Sequence, residues 1–174
     1  MGIESDDIDI ALDDMYGQEF AKLISEHLNK EENSDKKRYG VIKANSDKSK
    51  HLETATIRVG DVFIDLVNLR SETYSEDSRV PEIEIGTPEQ DAFRRDLTIN
   101  SMFYNINTGK VEDYTGKGLI DLKKRVLRTP LDPLQTFLDD PLRLLRTVRF
   151  ANRFGFEIVP EIAIAAKNAK VRVS

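Results

Sequence analysis

Residues 7–12, Asp-Ile-Asp-Ile-Ala-Leu, alternate polar and apolar side chains, the two-residue period of a half-buried strand. Phe20, Leu23, Ile24 and Leu28 then recur at helical spacing, which predicts a helix over 17–29. Polar, breaker-containing stretches at 30–38 and 44–51 read as surface loops, with a short strand at 39–42 between them. Two β-branched runs, 54–59 and 62–69, flank Gly60-Asp61 and predict a hairpin. Residues 70–90 carry Pro81 and Pro88 and lack apolar periodicity, so they read as a long mobile loop.

Farther along, Ala92, Phe93, Leu97, Ile99, Met102 and Phe103 supply the apolar positions of a helix over 90–104. Turns at 107–110 and 115–118 lead to a short helix over 119–124 and a strand over 126–129. Pro130 and Pro133 punctuate the chain, and a domain boundary is expected there. A helix over 141–154 opens on Pro141 and stops at Gly155, and another opens near Pro160 and covers 160–171. The first strand has no partner strand before it and the last helix no cap after it. The chain is therefore expected to be a piece of a larger protein.

Composition narrows the chemistry. The 174 residues contain no cysteine, which excludes a disulfide scaffold, a zinc–thiolate site and a cysteine nucleophile. Histidine is confined to His27 and His51, too few for a histidine-rich metal site. No apolar run approaches the roughly 18 residues of a membrane span, and the acidic start is unlike a secretory or transit peptide. The net charge of −5 argues against coating nucleic acid by bulk charge, but the charge is uneven. Residues 1–20 hold seven acids and no lysine or arginine, whereas 143–153 hold four arginines and no acid. Such segregation is ordinary on a solvated surface, and it also suits a site that holds cations and polyphosphate together.

Three motifs carry candidate chemistry. Asp7 and Asp9, two apart on a strand, fall on one face about 6.5–7 Å apart. They can be an exposed edge, or they can hold hard cations that share oxygens with substrate phosphates. Ile8, Ile10 and Leu12 mark the opposite face as core, and Asp65 repeats the arrangement between Ile64 and Leu66. Arg94-Arg95-Asp96 is either a solvated helix turn or a bidentate grip on phosphate, with Asn100 four residues after Asp96 on one helical face. In Asp139-Asp140-Pro141-Leu142-Arg143-Leu144-Leu145-Arg146, arginines recur every three residues as far as Arg149. Leu142, Leu145 and Val148 form an apolar stripe beside them, expected to anchor the helix against the core.

Taken in order, Asp-Ile-Asp, Arg-Arg-Asp-Leu-Thr-Ile-Asn-Ser-Met and Asp-Asp-Pro-Leu-Arg-Leu-Leu-Arg-Thr-Val-Arg-Phe resemble the class II tRNA nucleotidyltransferase (CCA-adding) and bacterial-type poly(A) polymerase family. The segment HLETATIRVGDVFIDLVNLRSETYSEDSR is similar to its eukaryotic branch. The resemblance implies an α+β fold: a polymerase-β-like nucleotidyltransferase head, a mixed sheet with flanking helices, over 1–131. It lacks its first strand, and the start of an all-α neck follows over 132–174. It implies catalytic carboxylates at Asp7, Asp9 and Asp65, with Asp7 and Asp9 holding Mg²⁺ or Mn²⁺. Nucleotide contacts are implied at Arg94, Arg95, Asp96, Asn100, Asp140, Arg143 and Arg146. The implied substrates are CTP, ATP and the tRNA 3′ end, in an intracellular, eukaryotic setting.

The family's upstream Gly-Gly strand and its downstream base-templating motif have no counterpart in the sequence. The chain as it stands is therefore expected to be nearly inactive. A non-catalytic truncated paralogue that keeps the fold and some RNA binding is the alternative.

Overall fold

The computed structural model describes residues 7–31, 41–43, 55–59, 61–75, 78–168 and 170–171. The chain forms two compact units, one made of 1–70 with 83–85, the other of 71–82 with 86–174.

In the first unit, β1 (Asp7–Leu12) is followed by α1 (Gly17–Glu31), β2 (Val41–Lys43), β3 (Ala55–Val59) and β4 (Val62–Asn68). The sheet order is β1-β4-β3-β2. β1 pairs parallel to β4, while β4–β3 and β3–β2 are antiparallel. The alternation in β1 and in the β3–β4 hairpin thus yields the strands expected of it. Leu12, Ala21, Ala55, Ile57 and Leu66 make the core, with Ile10, Phe20, Ile24 and Ile64 packed against it. Ile8 is about half exposed, so the apolar face of β1 is buried only from Ile10 onward, and Leu23 of α1 also lies open. α1 runs on to Glu31, beyond the expected end, whereas 32–40 and 44–51 lie outside the described residues.

The entry of α1 approaches β4 closely. A Cβ built on Gly17 would stand 2.7 Å from the Leu66 carbonyl oxygen and 3.3 Å from its Cβ. Both neighbours are fixed by the sheet, so neither can yield cheaply. Gly17→Ala is expected to destabilise this unit by about 1–3 kcal/mol through overpacking. Thermal unfolding of the variant, read by circular dichroism, checks this; an unchanged midpoint would refute the close approach.

The expected loop at 70–90 is instead a ribbon of β5 (Arg70–Ser75) and β6 (Ser78–Ile85). Pro81 fits within it because in a two-stranded ribbon only one edge of each strand must offer donors. The helix expected over 90–104 is likewise replaced. α2 (Pro88–Phe93) is followed by a 3-10 turn (Thr98–Asn100) and by β7 (Phe103–Asn105). Thr87 and Gln90 form a reciprocal capping box that starts α2. Its continuation fails because other partners take the backbone donors. The Asp96 carboxylate accepts from Leu97 N (2.9 Å), and Thr98 N donates to the Arg128 carbonyl (2.8 Å).

Beyond this come β8 (Lys110–Glu112), α3 (Gly118–Lys124), β9 (Val126–Leu127), α4 (Pro133–Asp139), α5 (Leu142–Phe154), β10 (Glu157–Ile158) and α6 (Pro160–Ala166). β7 and β8 form an antiparallel hairpin, and β9 and β10 pair in parallel. α4 fills the stretch read as punctuation: Asp132 caps it by accepting from Gln135 N (2.9 Å), and Pro133 takes the first helical position. α5 ends where expected, on Gly155 at φ 64°. α6 is shorter than expected, because the Asn168 side chain accepts from Lys170 N (2.9 Å) and turns the chain. Two apolar clusters hold the unit. Leu97, Leu127 and Phe156 form one, and Phe137, Val159, Ile162 and Ala165 the other.

The stripe of Leu142, Leu145 and Val148 is exposed, not packed. α5 turns its other side inward, burying Thr147 completely and Leu144, Phe150, Ala151 and Phe154 in part. That face can be polar at Thr147 because its hydroxyl donates to the Arg143 carbonyl (2.8 Å).

Candidate functional site

In the first unit the chemistry lies on the sheet face opposite α1. Parallel pairing of β1 with β4 sets Asp9 directly beside Asp65, and Asp7 beside Phe63. Neighbouring strands run about 4.8 Å apart, so the two carboxylates start from adjacent backbone positions. Asp9 is exposed and Asp65 half-buried. On the far side of Asp65 stands Thr56 of β3, whose hydroxyl donates to Asp65 Oδ1 (2.6 Å). That bond fixes the orientation of the carboxylate. Asp7 occupies the position two before Asp9 on β1; its side chain lies outside what the structure describes. Among the described residues no three acidic or imidazole groups gather, so Asp9 and Asp65 stand as a pair. Hard oxygen donors paired across adjacent strands suit a divalent cation such as Mg²⁺.

In the second unit α2 and the turn after it carry the arginine motif. Asp91, 1% exposed, is the hub. Its Oδ1 accepts from Arg94 Nε (3.0 Å) and Nη2 (2.6 Å), and its Oδ2 accepts from Arg95 Nε (2.8 Å) and lies 2.7 Å from Arg95 Nη2. Burial alone would push the Asp91 carboxyl up; the charges and hydrogen bonds of Arg95 and Arg94 outweigh it and hold it below its ordinary value. Arg94 Nη1 also donates to Glu72 Oε1 (2.8 Å), and Glu72 Oε2 accepts from Arg143 Nη2 of α5 (3.3 Å). Arg95 Nη1 donates to the Asn100 carbonyl (3.1 Å), and its guanidinium lies 5.1 Å from the centre of the Phe103 ring.

Asp96 is gathered from two sides. Asn100 Nδ2 donates to its Oδ1 (3.1 Å) and Arg146 Nε to its Oδ2 (2.7 Å). The expected pairing of Asp96 with Asn100 therefore exists, made by a tight turn and not by a helical face. Asp140 accepts from Leu142 N at the start of α5 (3.0 Å) and lies 3.9 Å from Arg143 Nε.

The structure thus brings Arg94, Arg95, Asp96, Asn100, Asp140, Arg143 and Arg146 into one network of ion pairs and hydrogen bonds, joined through Asn100. Among the described residues, these four arginines pair with four acids, Glu72, Asp91, Asp96 and Asp140. Exposure separates the arginines. The side chains of Arg94 and Arg143 are 16% and 11% exposed, those of Arg95 and Arg146 31% and 47%. The outer pair keeps guanidinium surface open to solvent, and the inner pair is largely covered. Sequence reasoning missed Asp91, Glu72 and Thr56. Asp91 was detectable, standing three and four residues before the two arginines on a helix. Glu72 carried no local signal, being 22 and 71 residues from its partners.

The profile of the family described as "Poly A polymerase head domain" matches residues 1–128. The mitochondrial CCA tRNA nucleotidyltransferase of Saccharomyces cerevisiae is 50% identical over 181 residues, covering 100% of this chain and 32% of its own length. Among solved structures, a CCA-adding enzyme in its apo form II superposes with a TM-score of 0.76 at 30% identity, over 94% of this chain and 35% of that one. A tRNA nucleotidyltransferase complexed with a primer tRNA and an incoming ATP analogue superposes with a TM-score of 0.70 at 28% identity, over 94% of this chain and 41% of that one. The chain spans about a third of the length of the curated relatives it matches.

Proposed function

The chain belongs to the poly(A) polymerase head-domain family, and from that premise we propose that it serves nucleotidyl transfer to the 3′ end of tRNA, adding CMP and AMP from CTP and ATP. The observation that carries this reading is the register that sets Asp9 beside Asp65 on parallel strands. In the reaction the primer 3′-oxygen forms a bond to the α-phosphorus, the bond from that phosphorus to the leaving oxygen breaks, and pyrophosphate departs.

Asp7 and Asp9 would hold Mg²⁺, with Asp65 as the third carboxylate. A divalent ion bound there supplies acidification of the 3′-hydroxyl and charge neutralisation at the α-phosphate. The Thr56 hydroxyl, donating to Asp65 Oδ1, would hold that carboxylate in place. Asp96 and Arg95 are suited to orient the sugar, and Arg146 to meet phosphate. Arg143, held between Glu72 and Asp140, supports the network from within. Residues 1–131 would form the head and 132–174 the start of the neck. The fungal relatives support a eukaryotic setting, and the name of the S. cerevisiae relative supports a mitochondrial pool.

The test uses a tRNA lacking its terminal CCA, labelled CTP or ATP and the protein in excess, so that slow transfer is visible. The expected result is metal-dependent incorporation together with Mg²⁺-dependent CTP binding. A chain that neither incorporates label nor binds CTP would overturn the reading.

A further inference from the structure

The two arginines of the Arg94-Arg95-Asp96 motif do not stand alike, and the cause is a residue outside the motif. Each oxygen of the Asp91 carboxylate receives one guanidinium: Oδ1 accepts two N–H groups of Arg94, and Oδ2 accepts Arg95 Nε–H and lies 2.7 Å from Arg95 Nη2 in an ion pair. A carboxylate takes both forks at once only when the two planes are set at fixed angles to it. Because Asp91 is 1% exposed, water cannot substitute for either fork. Arg94 is fastened again by Glu72 and is nearly covered. Arg95 is fastened by the Asn100 carbonyl and lies over Phe103, yet keeps 31% of its side chain open. The clamp therefore presents one guanidinium outward and holds the other as a brace.

We propose that Asp91 is a positioning residue of the nucleotide site, fixing Arg95 toward the ribose or phosphates of a nucleoside triphosphate while Arg94 acts as its buried brace. This rests on the nucleotidyl-transfer reading of the same site. Lysine could not replace either arginine, since a single ammonium cannot fill both positions of a fork.

The experiment titrates Mg²⁺·CTP into this chain, into Asp91→Asn and into Thr98→Val. The last loses a comparable buried contact, the Thr98 hydroxyl to Asp121 Oδ2 (2.8 Å), which involves neither Arg94 nor Arg95. Asp91→Asn is expected to weaken CTP binding about tenfold or more, the effect of losing one charge-assisted clamp. Thr98→Val is expected to change it less than about twofold at a similar loss of thermal midpoint.

Equal weakening in both variants would make Asp91 merely structural and overturn the proposal, as would undiminished binding by Asp91→Asn. A wild-type chain that binds no CTP would overturn the nucleotide reading and this inference together. If Asp91→Asn does not fold, the wild type decides through the NMR signals of its arginine Nε–H groups. Those of Arg94 and Arg95 are expected to stay resolved and protected from exchange with CTP bound. Signals averaged with those of surface arginines would refute the clamp.

Discussion

Phe137→Ala is expected to cost about 3–5 kcal/mol of unfolding free energy in the second unit. Phe137 is completely buried on α4, against Val159, Ile162 and Ala165, with Leu134, Leu144 and Ile158 closing round it. Removing the ring loses its transfer free energy and leaves a cavity lined by branched side chains. The surroundings have little freedom to collapse into it. The start of α4 is pinned by the Asp132 cap and Pro133, and Val159 N is tied to the Leu127 carbonyl (3.2 Å). Urea unfolding followed by far-ultraviolet circular dichroism measures the loss. A change below about 1 kcal/mol would mean that the ring is not the centre of this core.

Asp9→Ala is expected to abolish divalent-cation binding by the first unit. Manganese serves as the calorimetric probe for the Mg²⁺ site. Residues that only support a metal ligand typically contribute about 10–100-fold to affinity, so removing a ligand itself should cost about a hundredfold or more. Asp9 is exposed and faces Asp65 across one strand spacing, so its loss leaves one oriented carboxylate of the pair and weakens the local negative field. The fold should survive, since an exposed strand residue contributes little to packing. The second variant is Asp65→Asn, which should also weaken binding while retaining the hydrogen bond from Thr56. Equal manganese affinity in wild type and Asp9→Ala would remove the metal assignment.

The hydropathy pattern alone was sufficient for β1, for the β3–β4 hairpin and for α5 with its stop at Gly155. In each, side-chain periodicity or a local backbone requirement sets the structure within a few residues. The acidic pair of β1 and the arginine motifs were equally legible, because their spacing belongs to the chain itself. The helix forecast over 90–104 failed for the opposite reason. Its apolar residues are needed in the core, as Leu97 is, but Thr98 N finds its acceptor at Arg128, thirty positions away, and that bond outweighs local propensity. β5 was hidden by its polar composition, and in β6 only the alternation of Ile83, Glu84 and Ile85 betrayed a strand.

The site depends most on such distant choices. Asp65 faces Asp9 because the sheet inserts β4 next to β1 with a parallel register, and no periodicity within either strand specifies a neighbour. Among four similar arginines, the two most covered, Arg94 and Arg143, are the two that share Glu72, whereas Arg95 and Arg146 pair elsewhere and stay more open. Glu72 reaches Arg94 and Arg143 only once the chain has folded. The sequence by itself determined which chemical groups this protein possesses and on which local elements they ride. The tertiary structure decided which of them meet, because pairing and burial of charge are settled by long-range packing, where desolvation makes each unpaired group costly.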